Sequence, residues 1–315
     1  MIVFIMVICI SGCTKLEGNP AVGETSVVSG QTGIAADNTV VVSGQSITVT
    51  DNAAAISKQG NAGIDIPDII SKQEAVMKEV SSCLADVHME INIKSEDKGN
   101  ENISVIANMK SDIDISTRLL SSVISARLSI AGIRNEMKQQ IIAAGDNIYF
   151  RENKASGAQG QWQVKALDKA SSEKLWNEQD MQLTGSKYSG LTSSQGLIYT
   201  GKEKSNGHAC FVLKQSMDWK SIMEASPELM EQLQGIQGLM TEEIENMVKK
   251  AGVSYLIDEQ TFHLREFHID ARINQKVQGK QISGDIKQYC IFDAFGQPVS
   301  IKIPKDAKPV DESGQ

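Results

Sequence analysis

Three hydrophobic patterns follow one another along the chain: an unbroken apolar block, a long polar stretch, and then many short segments in which apolar residues recur at every second position. Met1 to Ile10 is continuous apolar sequence, too short to span a bilayer but long enough for the core of an export signal. From Thr14 to about Pro67 the chain is rich in Gly, Ser, Thr, Asn, Ala and Val and has no aromatic residue, a composition that cannot offset the entropy of ordering. A stalk is expected there. It contains a duplicated phrase, Val27-Val28-Ser29-Gly30-Gln31-Thr32 and Val41-Val42-Ser43-Gly44-Gln45-Ser46, and two copies do not make a solenoid. As a flexible coil, about 50 residues span on the order of 40 Å.

Regular structure is predicted from Ile69 onward. Ile70, Val76 and Val80 recur among polar residues at helical spacing, so a helix is expected over Ile69 to Ser82. At about Leu84 the period changes to two. Val87, Met89, Ile91 and Ile93 alternate with His88, Glu90, Asn92 and Lys94, as in a strand with one buried and one wet face. Ile103, Val105, Ala107, Met109, Ile113 and Ile115 repeat the rule, and Ile124, Ala126, Leu128 and Ile130 repeat it again. Met137 to Ala143, Asn147 to Arg151 and Gln161 to Ala166 predict three further strands of an antiparallel meander, set apart by Gly-Asp-Asn and Ala-Ser-Gly-Ala-Gln-Gly turns.

A short helix through Leu175 and Trp176, capped by Ser171 or Ser172, is expected next, then strands over Leu197 to Thr200 and Ala209 to Gln215. Ser226-Pro227-Glu228 is a helix-start signal: a capping hydroxyl, a proline at the first position and an acid favoured by the dipole. Leu229, Leu233, Ile236 and Met240 mark one face of that helix. A second piece starts at Thr241 and ends at Lys249, Lys250 and Gly252. Strand character returns over Val253 to Ile303 in three runs, Thr261 to Ile273, Gly279 to Phe292 and Pro298 to Ile303. The order predicts an α+β fold: a curved antiparallel sheet with helices packed on one face. The expected organisation is a signal peptide over 1–12, a stalk over 13–67, one domain over 68–310 and a tail over 311–315.

Charge narrows the functional classes. Acids exceed bases, the net charge is −8, and the clustered cations that nucleic-acid binding requires are not evident. The apolar block ends in Ile10-Ser11-Gly12-Cys13, which resembles the lipobox of bacterial lipoproteins, where the cysteine is lipidated and becomes the mature N-terminus. The resemblance implies a palmitate-type anchor on Cys13 and a cell-membrane location facing the extracytoplasmic side. No Lys or Arg precedes the apolar run, a departure from the positive n-region of such signals that a start upstream of Met1 would explain. The competing reading, an N-terminal strand with a chance Gly-Cys, fits poorly with a polar stalk directly after it. Two acyl chains, at about 0.8 kcal/mol per buried methylene, would hold such a chain stably on a membrane. Cys83, Cys210 and Cys290 then remain, enough for one disulfide; Cys210 and Cys290, both in strand-like segments, are the expected neighbours if a pair forms, and small buried hydrophobes if none does.

The lipobox, the helix before paired long strands, the mid-chain helices and the closing Gln297-Pro298-Val299-Ser300-Ile301-Lys302-Ile303-Pro304-Lys305-Asp306-Ala307 together resemble lipoproteins of the LolA, LolB and LppX type, over roughly Ile69 to Val310. That resemblance implies an incomplete β-barrel whose concave side, closed by helices, takes lipid or acyl chains without catalysis. The ligand-lining residues expected on this basis are Met89, Ile91, Val105, Met109, Leu128 and Met137 on strands, with Leu229, Leu233 and Met240 on the helical lid. Methionines, among them Met223, Met230 and Met247, suit a variable apolar ligand; a solid core would use the same residues. The rival function is a protein-interaction or sensory module of a cell-envelope complex.

Catalytic and metal chemistry find little support. His263-Leu264-Arg265-Glu266-Phe267-His268 misses the spacing of zinc-peptidase motifs, and on a strand an offset of five would put the two imidazoles on opposite faces. Gly190-Leu191-Thr192-Ser193-Ser194-Gln195-Gly196 lacks the spacing of a nucleophile elbow or a phosphate loop. His88 and His208 are expected on the surface, Glu242, Glu243 and Glu245 on a solvated helix face, and Trp162, Trp176 and Trp219 either lining a groove or buried. No enzyme activity, metal or other cofactor is implied.

Overall fold

The computed structural model describes residues 63–95, 102–130, 132–153, 158–183, 196–218, 250–277 and 280–310. The expected signal, Cys13, the stalk, Trp219 and the expected lid with Leu229, Leu233 and Met240 lie outside the described residues.

Two helices and twelve strands make up the described chain: α1 (Ile66–Met77), β1 (Ser82–Ser95), β2 (Ile103–Asp114), β3 (Leu119–Ile130), β4 (Ile133–Ala144), β5 (Asn147–Asn153), β6 (Gln163–Ala166), α2 (Lys169–Leu183), β7 (Ile198–Ser205), β8 (His208–Asp218), β9 (Lys250–Asp258), β10 (Leu264–Val277), β11 (Lys280–Asp293) and β12 (Lys308–Pro309). All strands join one open, curved sheet in the order β12-β6-β5-β4-β3-β2-β1-β11-β10-β9-β8-β7. Two meanders, β1 to β6 and β7 to β11, are therefore sewn together where β1 pairs antiparallel with β11. This is the predicted α+β fold: both helices bury residues in the same apolar cluster as one face of the sheet, which we call the inner face.

α1 starts three residues before the expected point because Asp65 caps it, its side chain accepting from the backbone N–H of Asp68 at 3.1 Å, with Pro67 in the first turn. Helix α2 is also capped by an aspartate rather than a serine: Asp168 accepts from the Ser171 N–H at 2.8 Å and from the Ser171 hydroxyl at 2.9 Å. Ser172 instead donates to Asp146 at 2.6 Å, and the indole of Trp176 donates to the Gly145 carbonyl at 2.8 Å, which docks α2 on the β4–β5 turn.

Two expectations about the last part of the chain are corrected. Lys250 and Gly252, read as a helix end, belong to β9, where they pair with Asp218 and Ser216 of β8. The run Pro298 to Ile303 is not a strand. Its chain leaves β11 in the middle of the sheet and next pairs at β6, where Lys308 and Pro309 lie parallel to Gln163 and Val164. Seven strand spacings separate β11 from β12, about 34 Å if flat, and about 14 connecting residues can reach at most about 48 Å. A segment that crosses strands cannot ladder along them, whatever its alternation.

The three described cysteines, Cys83, Cys210 and Cys290, do not pair. β8 and β11 are three strand spacings apart, about 14 Å, twice the limit for a disulfide. They also face opposite ways: Cys290 lies in the inner cluster, whereas Cys210 packs with Val212 and Leu256 on the other face. Burial pushes the Cys83 thiol up to about 12 and those of Cys210 and Cys290 up to about 11, so all three stay protonated and unreactive at neutral pH.

Candidate functional site

The strand registers align inner-face residues into rows that run across the sheet. One row passes from Ile124 through Met109 and Val87 to Cys290, Phe267 and Tyr255. A second, one pleat along, passes from Met137 through Ala126, Ala107 and Met89 to Gln288 and Ile269. The inner positions of β1, β2 and β3 carry no charged side chain. Along the strands, small inner residues such as Ala107, Ala126 and Ala271 alternate with large ones.

Of the residues expected to line a ligand, Met89, Ile91, Val105 and Met109 all face inward and are buried, while Leu128 and Met137 face inward and are only half-buried. Leu229, Leu233 and Met240 are outside the described residues. Exposure is graded along β3 and β4. Near the β2–β3 and β4–β5 turns, Leu120 and Ala143 are sealed; at the opposite end Ile130 is 37% exposed and Ile133 is 71% exposed. A largely apolar surface thus runs from solvent at the β3–β4 turn into the core.

Polar groups that sequence reasoning missed interrupt this surface. Ser111 and Ser122 face each other across β2 and β3 and share a hydrogen bond of 2.7 Å. Gln139 is buried on β4, and Gln215 on β8 donates to the Tyr255 hydroxyl at 3.1 Å. Gln179, on the buried face of α2 with Leu175 and Trp176, has neither its amide nitrogen nor its amide oxygen partnered among the described residues. Position parity alone would have found the serines, since Ser111 lies between Met109 and Ile113, and helical spacing from Leu175 and Trp176 would have placed Gln179 on the buried face of α2.

Ionisable groups concentrate at one end of β8 to β11, away from the apolar rows. The Arg265 guanidinium donates to Asp258 at 3.2 Å and to Asp293 at 2.8 Å, and His208 approaches Asp258 at 3.0 Å. Burial raises the Asp258 pKa, but the N–H groups of Thr261 and Gln260 and the guanidinium outweigh it and hold the carboxyl below its ordinary value. His208 is on the surface, as expected, and is engaged there by Asp258. His263 is not on a strand at all: it precedes β10 and stacks on Phe295 with ring centroids 4.3 Å apart. His268, on β10, pairs with Glu266 at 2.8 Å. His88 meets Asn108 at 2.7 Å. Trp176 is buried, and Trp162 is half-buried under Arg151, 4.6 Å from its ring centroid. Among the described residues no group of three His, Cys, Asp or Glu could hold a metal ion, and no helix is long and apolar enough to cross a membrane.

Comparison with solved structures finds LprF from Mycobacterium bovis, 15% identical with a TM-score of 0.42 over 76% of this chain and 96% of that one. LppX from Mycobacterium tuberculosis is 13% identical with a TM-score of 0.34, over 75% and 98%. A LolA superfamily protein from Nitrosomonas europaea is 11% identical with a TM-score of 0.19, over 76% and 96%. No curated protein matches the chain. Residues 65–311, from the cap of α1 to just beyond β12, match a family defined by sequence, and the chain belongs to that family of unknown function, DUF6612.

Proposed function

We propose that this protein is an extracytoplasmic lipoprotein, held on the cell membrane through Cys13, whose half-barrel binds an apolar ligand, lipid included, by burial rather than chemistry. In this reading residues 1–12 are the signal, 13–67 the stalk and 68–310 the binding domain. The observation that carries it is the graded inner face: uncharged on its three central strands, and open to solvent at Ile130 and Ile133 while sealed at Leu120 and Ala143. Met89, Ile91, Val105 and Met109 would form the floor and Leu128 and Met137 the rim, with Leu229, Leu233 and Met240 as proposed lid residues. The Ile10-Ser11-Gly12-Cys13 phrase supports the anchor.

The test is organic extraction and native mass spectrometry of the full chain purified from bacterial membranes. A non-covalent lipid in one-to-one ratio is expected, and Ala107→Trp, which fills the floor, should abolish it. A chain that carries no extractable lipid and takes none from added vesicles would sink the carrier reading. Metabolic labelling with palmitate tests the anchor, and Cys13→Ser should remove the label.

The alternative is an interaction or sensory module of an envelope complex with a filled interior. The near-complete burial of Met109, Ile124 and Leu213 favours it locally. Under that reading Ala107→Trp overpacks the core and costs about 1–3 kcal/mol of stability, whereas a ligand cavity absorbs the indole.

A further inference from the structure

The β3–β4 hairpin ends in Ile130-Ala131-Gly132-Ile133, which is unusual chemistry for an exposed turn. Such turns favour Asn, Asp, Gly or Ser, because these residues accept the required backbone angles and keep the tip wet. Here only Gly132 meets the need, at φ +85°, with open space around it. The two isoleucines are cross-strand partners on the inner face of the ribbon, 37% and 71% exposed. Other large exposed apolar residues among those described, Leu84, Val123 and Ile303, have no such partner among themselves.

On the outer face of the same ribbon stand Arg127, Arg134 and Lys138, against the single acid Glu136. Glu136 is taken by Arg127 at 2.8 Å, and among the described residues Arg134 and Lys138 make no ion pair. The tip is therefore locally cationic in a chain of net charge −8. Apolar residues at the point with cations one to several residues behind them match an anionic bilayer surface: isoleucines enter the acyl boundary while the arginines stay among the headgroup phosphates.

We propose that the β3–β4 hairpin tip is a docking wedge for an anionic phospholipid surface, with Ile130 and Ile133 inserted and Arg134 and Lys138 on the headgroups. The proposal is independent of whether the interior holds a ligand. The wedge would operate equally on a protein with a filled core.

The test uses the full chain carrying Ile133→Trp, with Val123→Trp on the outer face of β3 as control, each read against the parent chain's tryptophan signal. Both positions are exposed, so folding is preserved. Each is mixed with vesicles of phosphatidylglycerol or phosphatidylcholine whose acyl chains are brominated. Quenching at 133 and not at 123, confined to phosphatidylglycerol and lost when the vesicles are floated away, is expected. Arg134→Gln should weaken vesicle partitioning about fivefold at low salt, the worth of about one cation at an anionic surface, and high salt should weaken the parent likewise. No quenching at 133, equal quenching at 123, or equal quenching by phosphatidylcholine would each overturn the proposal. Quenching that survives removal of the vesicles would overturn it too, because it reports lipid carried in the interior rather than docking.

Discussion

At the foot of β10 a single guanidinium answers carboxylates from two other strands. Arg265 is 7% exposed and Asp258 3% exposed at their side chains, so removing either partner strands a charge away from water. Asp258→Asn should cost about 3 kcal/mol in urea unfolding at pH 7. Because the folded pKa of Asp258 lies below its unfolded value, its stabilisation is complete above the ordinary carboxylate range and is lost as pH falls through the folded value. Melts of the wild type and Asp258→Asn should therefore converge as pH falls below the ordinary carboxylate range of about 4. The reverse sign is expected at Gln179, whose buried amide has no partner among the described residues. An unsatisfied buried polar group costs about 1–3 kcal/mol, and Gln179→Met should raise the unfolding midpoint in urea. A lower midpoint would mean that the amide is satisfied in solution. The Asp258 site was not legible in the sequence: Asp258 and Arg265 are seven positions apart with no motif between them, and the pairing of Cys210 with Cys290 looked reasonable until register set them on opposite faces.

At the scale of elements, the seam between β1 and β11 is the sensitive place. Gly284 of β11 sits opposite Ile93, and a Cβ there would lie 2.1 Å from the backbone carbonyl oxygen of Asn92. Backbone cannot yield as a flexible side chain can, so Gly284→Ala should destabilise by about 3 kcal/mol, near the upper end for an overpacked site. Hydrogen exchange would show the loss first in β1 and β11. Strands such as β1 were legible because Val87, Met89, Ile91 and Ile93 answer one buried and one wet face, and that alternation is local. The Pro298 to Ile303 run shows the limit of the same rule: Val299, Ile301 and Ile303 alternate equally well, but the segment crosses the sheet and has no neighbour to ladder with. Helix caps fell between these cases. A capping residue was expected for α2, and Asp168 supplies it instead of either serine because its carboxylate reaches both the N–H and the hydroxyl of Ser171.

For the whole molecule, class was readable and connectivity was not. The order of helices and strands predicted an α+β sheet with helices on one face, and the two described helices do share the inner cluster. That the first strand of the sheet would lie beside the eleventh left no local trace, since pairing over so long a separation depends on which edges remain open after the hairpins have formed. The candidate site was legible in part for the same reason: Met89, Ile91, Val105 and Met109 come from alternation, whereas the exposed end at Ile130 and Ile133 comes from how far the covering elements reach.

The seam also orders events in time. β1 finds its first neighbour, β2, within a hairpin, but its second arrives only with residues 282–293, about two hundred positions later. Until then the N-terminal meander has an open edge at β1. A polypeptide emerging stepwise from a ribosome therefore cannot close its sheet until nearly its last strand has been made.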